Sequence, residues 1–205
     1  IANSISHGIG IVFSIVAMTI LLVYGIWMKS PAAIAGFAIY GVSSILLYTA
    51  STLYHSFRRE KIKQIMRVVD HSAIFLLIAG TYTPVTLIAM RGYWRVGILS
   101  AIWLIAISGI VFKVLTYRKI DKYKGLSLAL YVLMGWIAVI AIKPITQTVP
   151  VGFLIWLLAG GVAYTVGTIF YAVRKIPYHH AIWHLFVLAG RGLHFLGVFR
   201  YLAVA

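Results

Sequence analysis

The 205 residues are 62% hydrophobic and only 10% charged, whereas an ordinary soluble domain is about half apolar and a quarter charged. This is the composition of an integral membrane protein. There is no cysteine, which excludes disulfides and thiolate metal sites and leaves His, Asp, Glu and backbone oxygen as metal ligands. Eighteen Lys and Arg against three Asp and Glu give a net charge of +15. On a soluble protein that balance would point to nucleic acid. Here the basic residues lie between apolar runs, so the expected partners are the bilayer and its anionic headgroups, and no nucleic acid.

A helix needs about 20 mostly apolar residues to cross a bilayer. Seven runs qualify, near 8–28, 32–54, 70–90, 96–116, 125–143, 151–173 and 178–199. They are too long and too evenly apolar for barrel strands. The expected fold is all-α, a single seven-helix transmembrane bundle over residues 1–205 with no internal repeat. The first residue is Ile1 and not Met, so the natural N-terminus is expected upstream. The first run has no basic stretch before it and no small-residue cleavage site after it, and is read as a retained span. Pro31 and Pro177 suit helix starts. Pro84 is expected to kink the third run, and Gly109, Gly135, Gly160, Gly161 and Gly167 to let helices approach closely.

Lys and Arg in the connections predict orientation. Arg58, Arg59, Lys61, Lys63 and Arg67, then Lys113, Arg118, Lys119, Lys122 and Lys124, then Arg174 and Lys175 put twelve on one side, against Lys29, Arg91, Arg95 and Lys143 on the other. The N-terminus is therefore expected inside and the C-terminus outside.

Chemistry centres on His180-Ala181-Ile182-Trp183-His184. The i, i+4 spacing puts both rings on one helix face, one turn apart, as needed to share a metal ion. The alternative is a pair of interfacial histidines facing water or headgroups. The topology brings His55, Asp70 and His7 to the same membrane depth, although all helix ends are interfacial. His55, His180 and His184 would leave a tetrahedral zinc one open position, the catalytic arrangement. Asp70 is the one acidic residue outside the basic loops. It could act as general base toward a metal-activated water, or cap the third helix. Ser51, one turn before His55, could hydrogen-bond the site from behind, or bond back to the carbonyl at i−4. Asn3 and His7 repeat the i, i+4 spacing and are candidates to line the same cavity. His71 and His179 are expected to point elsewhere. His194 lies about 15 Å further along its helix and cannot share that metal.

At these residues the chain resembles the hemolysin III branch of the progestin and adiponectin receptor (PAQR) superfamily. The motifs are Asn3-Ser4-Ile5-Ser6-His7, Ser51-Thr52-Leu53-Tyr54-His55, Asp70-His71-Ser72 with Leu76 to Pro84, and His180 to His184 followed by His194-Phe195. The resemblance covers essentially the whole chain. It implies a multi-pass protein of the cell membrane, a bacterial plasma membrane for this branch, with seven helices and the N-terminus inside. It implies Zn2+ held by His55, His180 and His184, with Asp70 contacting the metal through water. Receptor members are similar to ceramidases, which implies hydrolysis of a lipid amide, and the bacterial name implies cytolysis. Two departures stand out. The acidic residue expected before the asparagine motif would fall ahead of Ile1. Arg191 occupies a mid-span position where a small residue is expected, nearly on the His184 face; it is a candidate to line the cavity and bind a lipid phosphate or carboxylate.

Three functions follow as expectations: a zinc-dependent hydrolase of a lipid amide or ester, a receptor or binding module with structural zinc, and a pore-forming cytolysin. Structural zinc normally has four protein ligands, and three are evident. The spans lack the sustained polar stripe of an aqueous pore.

Overall fold

The computed structural model describes residues 2–173 and 175–204. Arg174 of the charge count therefore lies outside the described residues. The elements are α1 (Ala2–Trp27), α2 (Pro31–Ser56), α3 (Glu60–Ala89), α4 (Gly92–Leu115), α5 (Lys124–Trp136), α6 (Ile142–Thr146), α7 (Gly152–Ala172) and α8 (His179–Val198). Among the described residues there is no strand, and seven helical stretches are long and apolar enough to cross a membrane. The fifth stretch joins α5 to α6, and the seventh is α8 with its π-helical extension to Ala203.

Neighbours in sequence pack side by side, α1 on α2, α2 on α3, α3 on α4 and α7 on α8, and α8 returns to touch α1 and closes the bundle. The central helix is α3, buried over 72% of its apolar window; it meets α2, α4, α5 and α8. The other helices present Ile, Val and Leu outward, as lipid-facing surfaces require. Short connections hold α2 in place: Pro31 is its first residue, and the Ser30 hydroxyl accepts from the Ala33 N–H at 3.2 Å. This is a proline–serine helix start.

Two features differ from the sequence expectation. The third helix begins at Glu60, ten residues before the predicted span. Residues 60–69 are good helix formers, with Ile62, Ile65 and Met66 on one side, but their Lys and Arg depress the hydropathy that sets a span boundary. Pro84 lies inside this helix, with α-helical residues on both sides of it. The fifth span is broken by a 3-10 turn over Ile137–Ala141. Tyr82 of α3 satisfies the break, since its hydroxyl accepts from the Ala138 N–H at 2.7 Å and lies 2.8 Å from the Gly135 carbonyl. Inside a bilayer such freed backbone groups need a protein partner.

The five glycines also divide. A Cβ on Gly109 would lie 2.4 Å from the Phe75 ring, one on Gly160 2.2 Å from His194, and one on Gly167 2.7 Å from Phe186. Gly135 has nothing within 4 Å of its Cβ position and Gly161 only Trp136 at 3.9 Å. These two are not packing contacts; they line an internal cavity. Lys113, counted above as a loop charge, is buried within α4 near the Tyr131 ring.

Candidate metal centre

The last turn of α2 carries His55 and the first turns of α8 carry His180 and His184. The α8 start follows Tyr178, whose φ of 56° turns the chain sharply into the helix. The three rings converge, with centroids 5.0 Å apart for His55 and His180, 5.1 Å for His55 and His184, and 4.8 Å for His180 and His184. One ligand atom from each lies within 4.8 Å of the others. Two nitrogens sharing a tetrahedral zinc at about 2.0–2.1 Å stand roughly 3.4 Å apart, and His55 Nε2 and His180 Nε2 are 3.2 Å apart. The donor set and the His55–His180 spacing fit a zinc ion. The group is half-buried at His55 and His180 and buried at His184.

Helix α1 packs on this cluster. Because α1 begins at Ala2, His7 lies inside a helix and not at its entry. The His7 ring stacks on His184 with centroids 3.6 Å apart and planes 7° apart, and Tyr48 meets the His7 ring in a T-shaped contact. Asn3 takes part through its backbone: its carbonyl oxygen is 3.2 Å from His184 Nδ1. Ser6 Oγ is 3.1 Å from the same nitrogen. Ser6 carries no sequence signal of its own beyond its place in the Asn3–His7 motif.

Asp70 is 8% exposed and lines a cavity of about 120 Å³ together with His7, Ser51, His180 and His184. Ser51 is buried and hydrogen-bonds the Asp70 carboxyl. The early start of α3 removes the capping alternative for Asp70, which sits in the third turn of a continuous helix. The remaining wall is mostly apolar, including Leu47, Ile74, Leu77, Trp183 and Val187. A second space of about 60 Å³ shares Thr81, Tyr82 and Trp136 with the first and continues toward Met90 and Ile145.

Other polar residues sort clearly. His71 lines the cavity, contrary to expectation, because α3 is buried on most of its circumference. His179 turns away, its Nδ1 3.0 Å from the Phe170 carbonyl. His194 reaches the deep end of the cavity and donates from Nε2 to the Leu157 carbonyl at 3.0 Å. Arg191 is not among the cavity-lining residues. It turns to α2, where its guanidinium lies 3.1 Å from the centre of the Tyr40 ring and Nη2 donates to the Tyr40 carbonyl at 3.0 Å.

The family described as Haemolysin-III related matches residues 1–195. The chain belongs to the haemolysin III family. It is 45% identical over 201 residues to Hemolysin-3 of Bacillus cereus, covering 98% of this chain and 90% of the relative. It is 44% identical to the Hemolysin-3 homolog of Bacillus subtilis, covering 98% and 93%. Human Monocyte to macrophage differentiation factor is 29% identical over 209 residues, covering 98% and 83%. With seven candidate spans, this haemolysin III protein is a multi-pass membrane protein of the PAQR superfamily.

Proposed function

We propose that this haemolysin III protein is a zinc-dependent hydrolase that cleaves an amide or ester bond of a membrane lipid. One observation carries the reading: three imidazoles cluster beside a largely apolar cavity within the bundle whose wall includes two of them, His180 and His184, and the buried Asp70 carboxyl. Charge supports the orientation in which that end, next to the basic loops, faces the cytoplasm and anionic headgroups.

His55, His180 and His184 would hold the zinc, which when bound supplies a Lewis acid and a water acidic near neutral pH. Asp70 takes a proton from the attacking water and returns it to the departing amine or alcohol as the carbonyl–nitrogen or carbonyl–oxygen bond breaks. Ser51 holds the carboxyl toward the cavity. The apolar walls, continued by the second space, receive the acyl chain and keep bulk water out. The test is turnover of ceramide-like amides and lipid esters by purified protein, with and without chelator. Chelator-sensitive release of fatty acid supports the reading, and no turnover of any such lipid by zinc-loaded protein refutes it.

A cytolytic role is a second reading, favoured by the name of the Bacillus cereus relative. Dye release from liposomes in proportion to inserted protein would support it. Tight liposomes would refute it.

A further inference from the structure

We infer that the first turns of α1 are a positioning device for His184, in which Ser6 and the Asn3 carbonyl fix the tautomer that leaves Nε2 free for a metal. The inference rests on the metal reading above and adds a role for residues outside the three ligands.

The case is an accounting of protons. Ser6 Oγ donates to the Asn3 carbonyl at 3.0 Å. A hydroxyl has one proton, so once it is given to Asn3 the Ser6 oxygen can only accept. The carbonyl of Asn3 can only accept as well. His184 Nδ1 faces both oxygens, at 3.1 Å from Ser6 and 3.2 Å from Asn3. Two acceptors facing one ring nitrogen require that nitrogen to carry the proton. Nδ1 of His184 is therefore the protonated position, and in a neutral ring the lone pair lies on Nε2.

The stacked His7 ring completes the device. At 3.6 Å and 7° from parallel it covers one face of His184. The ring is thus held along its edge by two oxygens and across its face by a plate. Metal-binding histidines commonly donate their other N–H to a carbonyl or carboxylate, which fixes the ring and strengthens the ligand. Here the supporting groups come from a helix remote in sequence, joined to α8 by the α1–α8 packing that closes the bundle.

The side chain of Asn3 has no part in this device, because the acceptor is its backbone oxygen. Ser6 and Asn3 therefore differ in a testable way. Zinc affinity is measured by competition with a chromophoric chelator on detergent-purified full chain, without any turnover assay. Ser6→Ala is expected to weaken zinc binding about 10–100-fold, Ser6→Thr to restore most of it, and Asn3→Ala to leave it close to wild type. Nitrogen-15 NMR of the metal-free protein should show His184 protonated at Nδ1 in wild type and still so in Ser6→Ala, where the Asn3 carbonyl remains as acceptor and only the second hold on the ring is lost. Thermal unfolding of each variant separates loss of fold from loss of positioning. Wild-type affinity in a folded Ser6→Ala protein, or His184 protonated at Nε2 in the metal-free wild type, overturns the inference alone. A wild-type protein that binds no zinc overturns the metal reading and this inference together.

Discussion

Replacing Asp70 with Asn separates the chemical role of the carboxyl from its structural one. Asp70 lies in the third turn of α3 and caps nothing. It is 8% exposed, with Ser51 as its hydrogen-bond partner. Asn is nearly isosteric, keeps a carbonyl oxygen for Ser51 and brings no charge to bury. Folding and zinc content should therefore stay near wild type, because the three imidazoles are untouched. What Asn lacks is the ability to take a proton at neutral pH. Loss of a general base typically lowers turnover by about 10²–10⁴, which is about 2.7–5.5 kcal/mol of activation barrier. The assay is kcat on the best lipid substrate, with zinc measured on the same preparation. An Asp70→Asn protein with full zinc and unchanged kcat would refute the base assignment.

A tag at the N-terminus should be protected inside intact cells and one at the C-terminus accessible from outside; the reverse accessibility contradicts the orientation taken from the basic loops. Gly109→Ala should lower stability by about 1–3 kcal/mol, since its Cβ meets the fully buried Phe75 ring. Gly135→Ala should stay within about 0.5 kcal/mol in the same thermal unfolding series, and equal losses would contradict the packing. Arg191 is 1% exposed, and its Nε and Nη1 have no hydrogen-bond partner among the described residues. Arg191→Met should therefore hold or raise the unfolding temperature, because a buried charge with no acidic counter-ion among the described residues is removed; a fall of several degrees would assign the guanidinium and its Tyr40 contacts a stabilising role.

Much of the fold is legible in the sequence because hydropathy over about 20 residues reports the bilayer directly. All seven runs became helices, and most ends fell within a few residues of their predicted places. The failures share a cause. The α3 extension is helical for reasons of propensity and amphipathicity, to which a hydropathy window is blind. The α5 break depends on a tyrosine on another helix, 56 residues earlier. Periodicity placed His180 and His184 on one face. It had no means of showing that α1 would lay the Asn3 carbonyl and the Ser6 hydroxyl against His184, or that Arg191 would turn to Tyr40 and away from the cavity. Those are tertiary facts, set by how α8 rotates against α1 and α2.

The measurement that bears most directly on the central claim is the zinc content of purified protein by elemental analysis, for wild type and for His55→Ala and His184→Ala. Three imidazoles with ligand atoms within 4.8 Å of one another predict about one zinc per chain in wild type, and loss of most of it in either variant. Metal-free wild type, or full zinc retained by both variants, would contradict it.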